Sequence, residues 1–307
     1  MENLSINSSW YTIFNPTSGG GTGQKNLDKI LSIFNLSKIT YQIITTQYAH
    51  HEEELVQAAI KKGYLNFICI GGDGTIHHMI NGIMKQKYTD SRQIKLAVIP
   101  TGTGNDWVKN YNIPRDPKKA INLILNNKII YQDVGKINLT ENNKEVFFNN
   151  AAGIGFDAFV VKRIPLYKKW GSLAYLIAGL ISFTSYKKSN ISYTVGSRLC
   201  TSEMFMISLG ICRYSGGGMQ LTDFKHHKNG YFDLTFIKSI QLFRVITNIF
   251  KLYNGNINDI RETECSHIKK FDLSHNKSCY IQADGELIGK GDAKFELIPR
   301  AIQMIIS

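Results

Sequence analysis

The sequence predicts an α/β domain built on a parallel sheet, followed by a β-rich, sandwich-like domain. Three observations carry that expectation. Up to about Lys128, apolar runs with the length of strands alternate with segments of helical spacing, the signature of a parallel sheet covered on both faces. From Val146 onward most segments are short and β-like, separated or bordered by turn pairs such as Asn142-Asn143, Asn229-Gly230 and Asp284-Gly285. The 307 residues suit two domains with ample material for a core. The division is expected at residues 1–134 and 135–307, without a linker of Pro, Ser or Gly composition.

In chain order, Trp10–Phe14 reads as a strand and Asn15–Gly23 as a loop. Leu27, Ile30, Leu31 and Phe34 then recur at helical spacing. Tyr41–Thr45 is a second strand, leading through His50-His51 to a helix whose first turn holds Glu52, Glu53 and Glu54, charges that suit a helix N-terminus. Phe67–Ile70 is a buried strand by its length and β-branched content. It runs through Gly71-Gly72-Asp73-Gly74-Thr75 into a helix with Ile76, Met79, Ile80 and Ile83 on its inner face. Leu96–Ile99 is the fourth strand, followed by Pro100–Asp106, and Asp116-Pro117 opens a further helix. In the second part, strands are expected at Val146–Asn149, Ile191–Val195, Phe205–Leu209, Tyr231–Ile237, Cys279–Gln282 and Phe295–Ile298, with helices around Tyr175–Phe183 and Gln241–Tyr253.

Composition narrows the class. With 43% hydrophobic and 20% charged residues the chain is an ordinary folded protein. A net charge of +12 points to an anionic partner: a nucleotide, a nucleic acid or an anionic lipid surface. No recognisable nucleic-acid reading motif accompanies the charge. The five cysteines are scattered and lack C-x-x-C spacing, which argues against a disulfide framework or a zinc site and fits a reducing cytoplasm. No signal peptide is visible at the N-terminus, and the apolar stretch Trp170–Thr184 is too short to span a bilayer, so a soluble, cytoplasmic protein is expected.

Three glycine-bearing loops, Asn15–Gly21, Gly71–Thr75 and Thr101–Asp106, follow the carboxyl ends of strands in the first domain. Loops at those ends converge on one crevice, the usual ligand site of such sheets. Glycines let the backbone approach a bulky anion, and a helix start offers unpaired N–H groups to phosphate. Asp73 could reach a phosphate-bound Mg²⁺ or a hydroxyl about to attack. Gly19-Gly20-Gly21-Thr22-Gly23-Gln24-Lys25 puts Gln where a P-loop needs Lys, and Gly71-Gly72-Asp73-Gly74 does not satisfy G-x-G-x-x-G, so both motifs are rejected.

The residues then carry a family resemblance over essentially the whole chain. Asn15-Pro16-x-Ser18-Gly19, Gly71-Gly72-Asp73-Gly74-Thr75 with Asn81-Gly82, and Pro100-Thr101-Gly102-Thr103-Gly104-Asn105-Asp106 resemble the diacylglycerol kinase catalytic-domain family, which includes the soluble bacterial lipid kinases and the sphingosine and ceramide kinases. Asp133-Val134-Gly135, Asn150–Asp157, Gly216-Gly217-Gly218-Met219 and Asp284-Gly285-Glu286 follow in the family's order. The resemblance implies a two-domain kinase that binds ATP and Mg²⁺ in the interdomain cleft and phosphorylates a lipid hydroxyl. It implies an ATP site lined by Asn15, Pro16, Thr17, Ser18 and Gly19, by Thr45 and Thr46, by Gly71, Gly72, Asp73, Gly74, Thr75, Ile76, His77 and His78, and by Thr103. It places Asp133 near a Mg²⁺–water network and Glu286 as the general base, with Asp284 assisting. Asp73 is the rival base, since it lies closest to the phosphate loop.

Two departures stand out. His77-His78 occupy the place where the family commonly has Asn-Glu. Asn229 stands where bacterial members often have an Asp beside a second, structural Mg²⁺, and losing a carboxylate lowers affinity for a hard cation. Residues Lys162–Lys188 hold Lys162, Arg163, Lys168, Lys169, Lys187 and Lys188 with no acidic residue, flanking the apolar pattern Leu173–Phe183. That pattern suits either a core helix or shallow contact with an anionic membrane. The expected function is ATP-dependent transfer of a phosphoryl group to diacylglycerol or a related lipid. The alternatives are an NAD kinase-like small-molecule kinase and a non-catalytic lipid-binding regulator.

Overall fold

The computed structural model describes residues 9–276 and 278–307, with the backbone alone for 168, 169, 171 and 172. The first eight residues, on which the expectation about a signal peptide rests, lie outside the described residues. The chain forms two compact units, Met1–Gln132 with Arg300–Ser307, and Asp133–Pro299. The division expected at 134/135 leaves residues 300–307 in the second part, whereas the structure joins them to the first unit.

The first unit alternates β1 (Trp10–Phe14), α1 (Thr22–Leu36), β2 (Tyr41–Thr45), α2 (His51–Lys61), β3 (Asn66–Gly71), α3 (Asp73–Lys85), β4 (Lys95–Pro100), α4 (Asp106–Asn110) and α5 (Pro117–Asn126). Its strands pair in parallel in the order β2-β1-β3-β4. Phe67, Ile68, Cys69 and Ile70 of β3 are all fully buried, as a central parallel strand covered on both faces must be. Ile68 and Ile70 pack with Phe14, Ala97 and Ile99 against Ile30 and Phe34 of α1 and Ile121 and Ile124 of α5. Truncating one of these isoleucines to alanine removes about 2–5 kcal/mol. Local chemistry sets the helix ends: Asp116 accepts from the Lys119 amide at 3.0 Å, Pro117 opens α5, and Asn127 closes it at φ 52°.

The second unit begins within β5 (Ile129–Leu139) and continues through β6 (Lys144–Phe148), β7 (Ala151–Gly155), α6 (Phe156–Arg163), α7 (Ala174–Phe183), β8 (Ser189–Val195), β9 (Arg198–Gly210), β10 (Phe232–Lys238), α8 (Leu242–Asn254), β11 (Thr263–Ile268), β12 (Lys270–Leu273), β13 (Tyr280–Ala283), β14 (Glu286–Lys290) and β15 (Ala293–Ile305). Its pairings are antiparallel, in the order β14-β13-β7-β9-β8-β12-β15, with β10 between β9 and β11.

The sequence reading passes over β5, β7, β11, β12 and β14. β7 reads Ala-Ala-Gly-Ile-Gly, a composition set by its neighbours and not by β-propensity. A Cβ on Gly153 would sit 1.6 Å from the Asp157 carboxylate. β15 is far longer than the expected Phe295–Ile298, and its far end supplies Gln303 and Met304 as parallel partners of Lys95 and Leu96 in β4. That pairing is why residues 300–307 belong to the first unit. No helix among the described residues is long and apolar enough to cross a membrane.

Candidate active site

The three glycine loops of the first unit meet. A Cβ on Gly19 (φ 60°) would lie 1.9 Å from the Thr101 carbonyl oxygen, and one on Gly72 would touch the Gly102 Cα at 3.0 Å. Only glycine permits backbones this close. The Asn15 amide donates to the Ile70 carbonyl at 3.0 Å and the Thr101 amide to the Gly71 carbonyl at 2.8 Å, which fixes the ends of the loops in register. Asn15 is the hub: its Nδ2 donates to Glu52 Oε1 (3.0 Å) and Thr75 Oγ1 (3.1 Å), and its Oδ1 accepts from the Thr17 amide and hydroxyl. Glu52, read from sequence only as a helix-start charge, is buried and holds this hub in place. Thr46 is buried and its amide donates to the Phe14 carbonyl, while Thr45 is exposed at the end of β2 and Thr103 is exposed in its loop. Pro16 and Ser18 are half-buried in the first loop region, Gly74 is half-buried in the first turn of α3, and Ile76 is fully buried in the core.

Asp73 has a structural task the sequence conceals. Its Oδ2 accepts from the Asp106 amide (2.9 Å) and its Oδ1 from the Trp107 amide (3.3 Å), so it caps α4 from the first turn of α3. Trp107 Nε1 donates to Gln132 Oε1 at 2.8 Å and locks that short helix further. Asn105, at φ 52°, donates to the Gly102 carbonyl at 2.7 Å. Its Oδ1 and the Thr101 hydroxyl are buried with no hydrogen-bond partner among the described residues. Buried polar atoms left unmatched at a loop junction suit a polar ligand.

The two histidines differ. His77 is buried, with Asn81 Nδ2 3.3 Å from its Nε2. His78 is half-buried, with its Nε2 2.8 Å from His50 Nδ1 and its Nδ1 3.4 Å from Glu53 Oε1. Lys85 completes the group at 2.8 Å from Glu53. Burial pushes the Glu53 carboxyl up, but the hydrogen bonds from His78 and Lys85 outweigh it and bring the pKa to about 2.

In the second unit, Asp284 (φ 50°) and Gly285 (φ 84°) form a two-residue hairpin turn between β13 and β14, the type in which both central residues take positive φ. Asp284 does not project into solvent. Its Oδ1 accepts from the Asn150 (2.9 Å) and Ala151 (3.1 Å) amides, and its Oδ2 from the Asn149 amide (3.0 Å). The turn is braced again through Gln282, whose Oε1 accepts from the Gly285 amide (2.9 Å) while its Nε2 donates to Asp157 (2.7 Å). Asp157 also accepts from the Tyr175 hydroxyl, and burial pushes its carboxyl up against the lowering effect of both bonds. Glu286, half-buried, makes no side-chain hydrogen bond or ion pair with the described residues. The two acids of Asp-Gly-Glu therefore differ: one is saturated with backbone donors and the other is uncommitted.

Asp133 and the turn around Asn229 are brought together. Asp133 Oδ2 accepts from the Gly230 amide at 2.7 Å, while Asn229 itself is exposed. Beside them His227 Nδ1 lies 2.7 Å from Asp233 Oδ2. Burial lowers the His227 pKa, but the Asp233 carboxylate outweighs it and leaves the imidazole above its usual value. Among the described residues no three His, Cys, Asp or Glu side chains gather as a metal cage.

The second unit also holds an apolar cavity of about 790 Å³, open mouth included. Its walls come from Tyr175, Leu176 and Leu180 of α7, Val245 and Ile249 of α8, and Phe205, Met206 and Ile237 of the sheet.

Residues 9–137 match the family model of the diacylglycerol kinase catalytic domain, and residues 150–306 match that of the YegS C-terminal NAD kinase beta sandwich-like domain. The chain belongs to the diacylglycerol kinase family. It is a diacylglycerol kinase-like lipid kinase. Diacylglycerol kinase from Mycobacterium tuberculosis is 26% identical over 95% of this chain and 93% of its own. Diacylglycerol kinase from Bacillus subtilis is 27% identical over 96% and 95%. The fold is likewise that of a diacylglycerol kinase crystal structure from Bacillus anthracis, with a TM-score of 0.72, 20% identity and coverage of 98% and 97%. In this lipid kinase the signals that sequence reading lacks are contacts distant in the chain: Glu52 on Asn15, Asp73 on α4, and Asp284 on the Asn149–Ala151 amides.

Proposed function

We propose that this chain transfers the γ-phosphoryl group of ATP to a hydroxyl of diacylglycerol or a related lipid. The observation that carries the lipid reading is the apolar cavity of the second unit, whose lining suits an acyl chain and not a nicotinamide dinucleotide. In the first unit, the abutting glycine loops and the unmatched Thr101 and Asn105 oxygens support a nucleotide phosphate site. Mg²⁺ would be carried on the nucleotide's phosphates and neutralise their charge, the usual arrangement for this ion. Asp73 of the first unit and Asp133 of the second are the carboxylates that the family resemblance offers it.

In the reaction the lipid oxygen attacks the γ-phosphorus, the bond to the β-bridging oxygen breaks, ADP leaves, and the hydroxyl proton passes to a base. Glu286 is that base in our reading, because its carboxylate is uncommitted while Asp284 next to it spends its lone pairs on amides. Asp284 assists by holding the turn.

Peripheral association with an anionic membrane belongs to the same reading. Lys162, Arg163 and Lys188 donate to neutral hydroxyl partners and so keep their charge for lipid, and Lys187 is exposed. The side chains of Lys168 and Lys169 lie outside the described residues. The anionic cytoplasmic leaflet is the surface such a segment suits.

The test is incubation of the pure protein with labelled ATP·Mg²⁺, mixed micelles of candidate lipids, and NAD⁺ as an additional acceptor. Labelled phospholipid is the expected product. Labelled NADP⁺ without phospholipid would replace the reading with an NAD kinase. Binding of ATP and vesicles without any labelled product would replace it with a non-catalytic lipid-binding regulator.

A further inference from the structure

Helix α8 is apolar on both sides. Val245, Ile249 and Leu252 face the cavity, while Phe243, Ile246 and Phe250 point away from it, exposed at 73%, 51% and 76%. At 100° per residue Phe243 and Phe250 lie almost one above the other, with Ile246 between them, so the three form one stripe. Large exposed aromatic residues gathered on one helix face mark an interaction surface. Only Asn248 of this helix is buried, so α8 stands as a thin wall between the cavity and whatever covers the stripe.

From these placements we propose that α8 is the element of the second unit that enters the membrane: Phe243, Ile246 and Phe250 sit at the headgroup–acyl boundary of an anionic bilayer, and the cavity behind them receives an acyl chain directly from the lipid phase. Three observations choose a bilayer over a second copy of the chain. Leu242–Asn254 contains no Asp or Glu; its Arg244 is ion-paired with Glu262, while its Lys251 donates only to the neutral Asp259 carbonyl and keeps its charge. The opposite cavity wall, α7, is flanked by the segment Lys162–Lys188, six basic residues without an acidic one, and itself exposes Leu180 and Ile181. Two copies of a +12 chain meeting through such faces would repel, whereas anionic headgroups complement them. An interfacial helix with aromatic residues at the apolar face and basic residues beside it is the usual form of this contact. The proposal rests on the lipid kinase reading only for the acyl chain in the cavity, since docking of α8 needs the stripe alone.

The experiment uses the full chain with vesicles of phosphatidylglycerol and phosphatidylcholine. The Phe250→Trp variant, measured against the parent with its own three tryptophans, should show an additional blue-shifted emission on addition of vesicles and quenching by brominated acyl chains. The triple variant Phe243→Ser, Ile246→Ser, Phe250→Ser should partition at least tenfold more weakly than the parent. It should keep parental activity on a dispersed short-chain diacylglycerol and lose activity on vesicle-borne lipid. If the Phe250→Trp variant shifts no more than the parent and the triple variant partitions unchanged, the docking proposal is overturned while the kinase reading stays intact. Docking through α8 without phosphorylation of any lipid overturns the kinase reading and keeps the docking. A concentration-dependent dimer in light scattering that the triple variant abolishes assigns the stripe to a copy–copy interface and overturns the proposal.

Discussion

Replacing Asp284 by alanine separates structure from chemistry at the Asp-Gly-Glu turn. The carboxylate takes three backbone amides at 2.9, 3.0 and 3.1 Å, from residues 133 to 135 positions away. Hydrogen bonds to a charged acceptor contribute about 1.5–3 kcal/mol each, and losing the acceptor strands three donors at once. Because two bonds share one oxygen and Asp284 is half-buried, their sum is reduced to about 3–4 kcal/mol. For a unit of this size that is a fall in Tm of about 10 °C. Asp284→Asn keeps one acceptor oxygen and turns an NH₂ toward an amide, so it should lose roughly half as much. Glu286→Gln, by contrast, should leave Tm within about a degree and cut kcat roughly 10²-fold or more at unchanged ATP affinity. Scanning calorimetry of the three variants, with turnover measured at saturating lipid, gives both numbers. If Asp284→Ala melts with the parent yet loses turnover, the carboxylate belongs to the chemistry and the structural assignment fails. If Glu286→Gln turns over normally while Asp73→Asn binds ATP and is inactive, the base is Asp73.

Other parts of the molecule yield sharper single readouts. Gly19→Ala places a methyl 1.9 Å from the Thr101 carbonyl at φ 60°, whereas Gly20→Ala at φ 66° meets nothing within 4 Å. Titration calorimetry with ATP·Mg²⁺ should therefore show at least a tenfold loss for the first and near-parental binding for the second, which carries only the roughly 1–2 kcal/mol of left-handed strain. The Glu53 carboxyl, brought from its ordinary 4.5 to about 2, favours the folded state when ionised. That contribution, up to about 3 kcal/mol, is complete above pH 4.5 and disappears as pH falls toward 2. Urea unfolding between pH 6 and 2 should show the loss in the parent and a shallower one in Glu53→Gln; parallel curves would contradict the ion cluster with His78 and Lys85. Replacing Lys168, Lys169, Lys187 and Lys188 by Gln should weaken co-sedimentation with anionic vesicles, since each basic group near such a surface adds roughly 1 kcal/mol. The difference from the parent should vanish in about 1 M salt, where charges are screened within about 3 Å.

The sequence exposes what local chemistry dictates. Buried parallel strands must concentrate apolar β-branched residues, so Phe67–Ile70 is legible. Loops that touch backbone to backbone must carry glycine, so the three phosphate-loop candidates are visible as Gly19, Gly72 and Gly102. What stays hidden is set by partners far away in the chain. β7 is a strand because it pairs with β9 and β13, and its Gly153 answers to Asp157, not to any strand propensity. β15 exceeds its readable core because Gln303 and Met304 find parallel partners in β4. The carboxylates show the same limit in its strongest form. Asp73, Asp133, Asp284 and Glu286 look equally available in a sequence. In the structure the first three accept backbone amides of Asp106, Gly230 and Asn150, and Glu286 accepts none among the described residues. A carboxylate oxygen that accepts a backbone amide has a lone pair engaged in holding the fold. The amides that make this difference lie 33, 97 and 134 positions away in the chain, so no local pattern announces it.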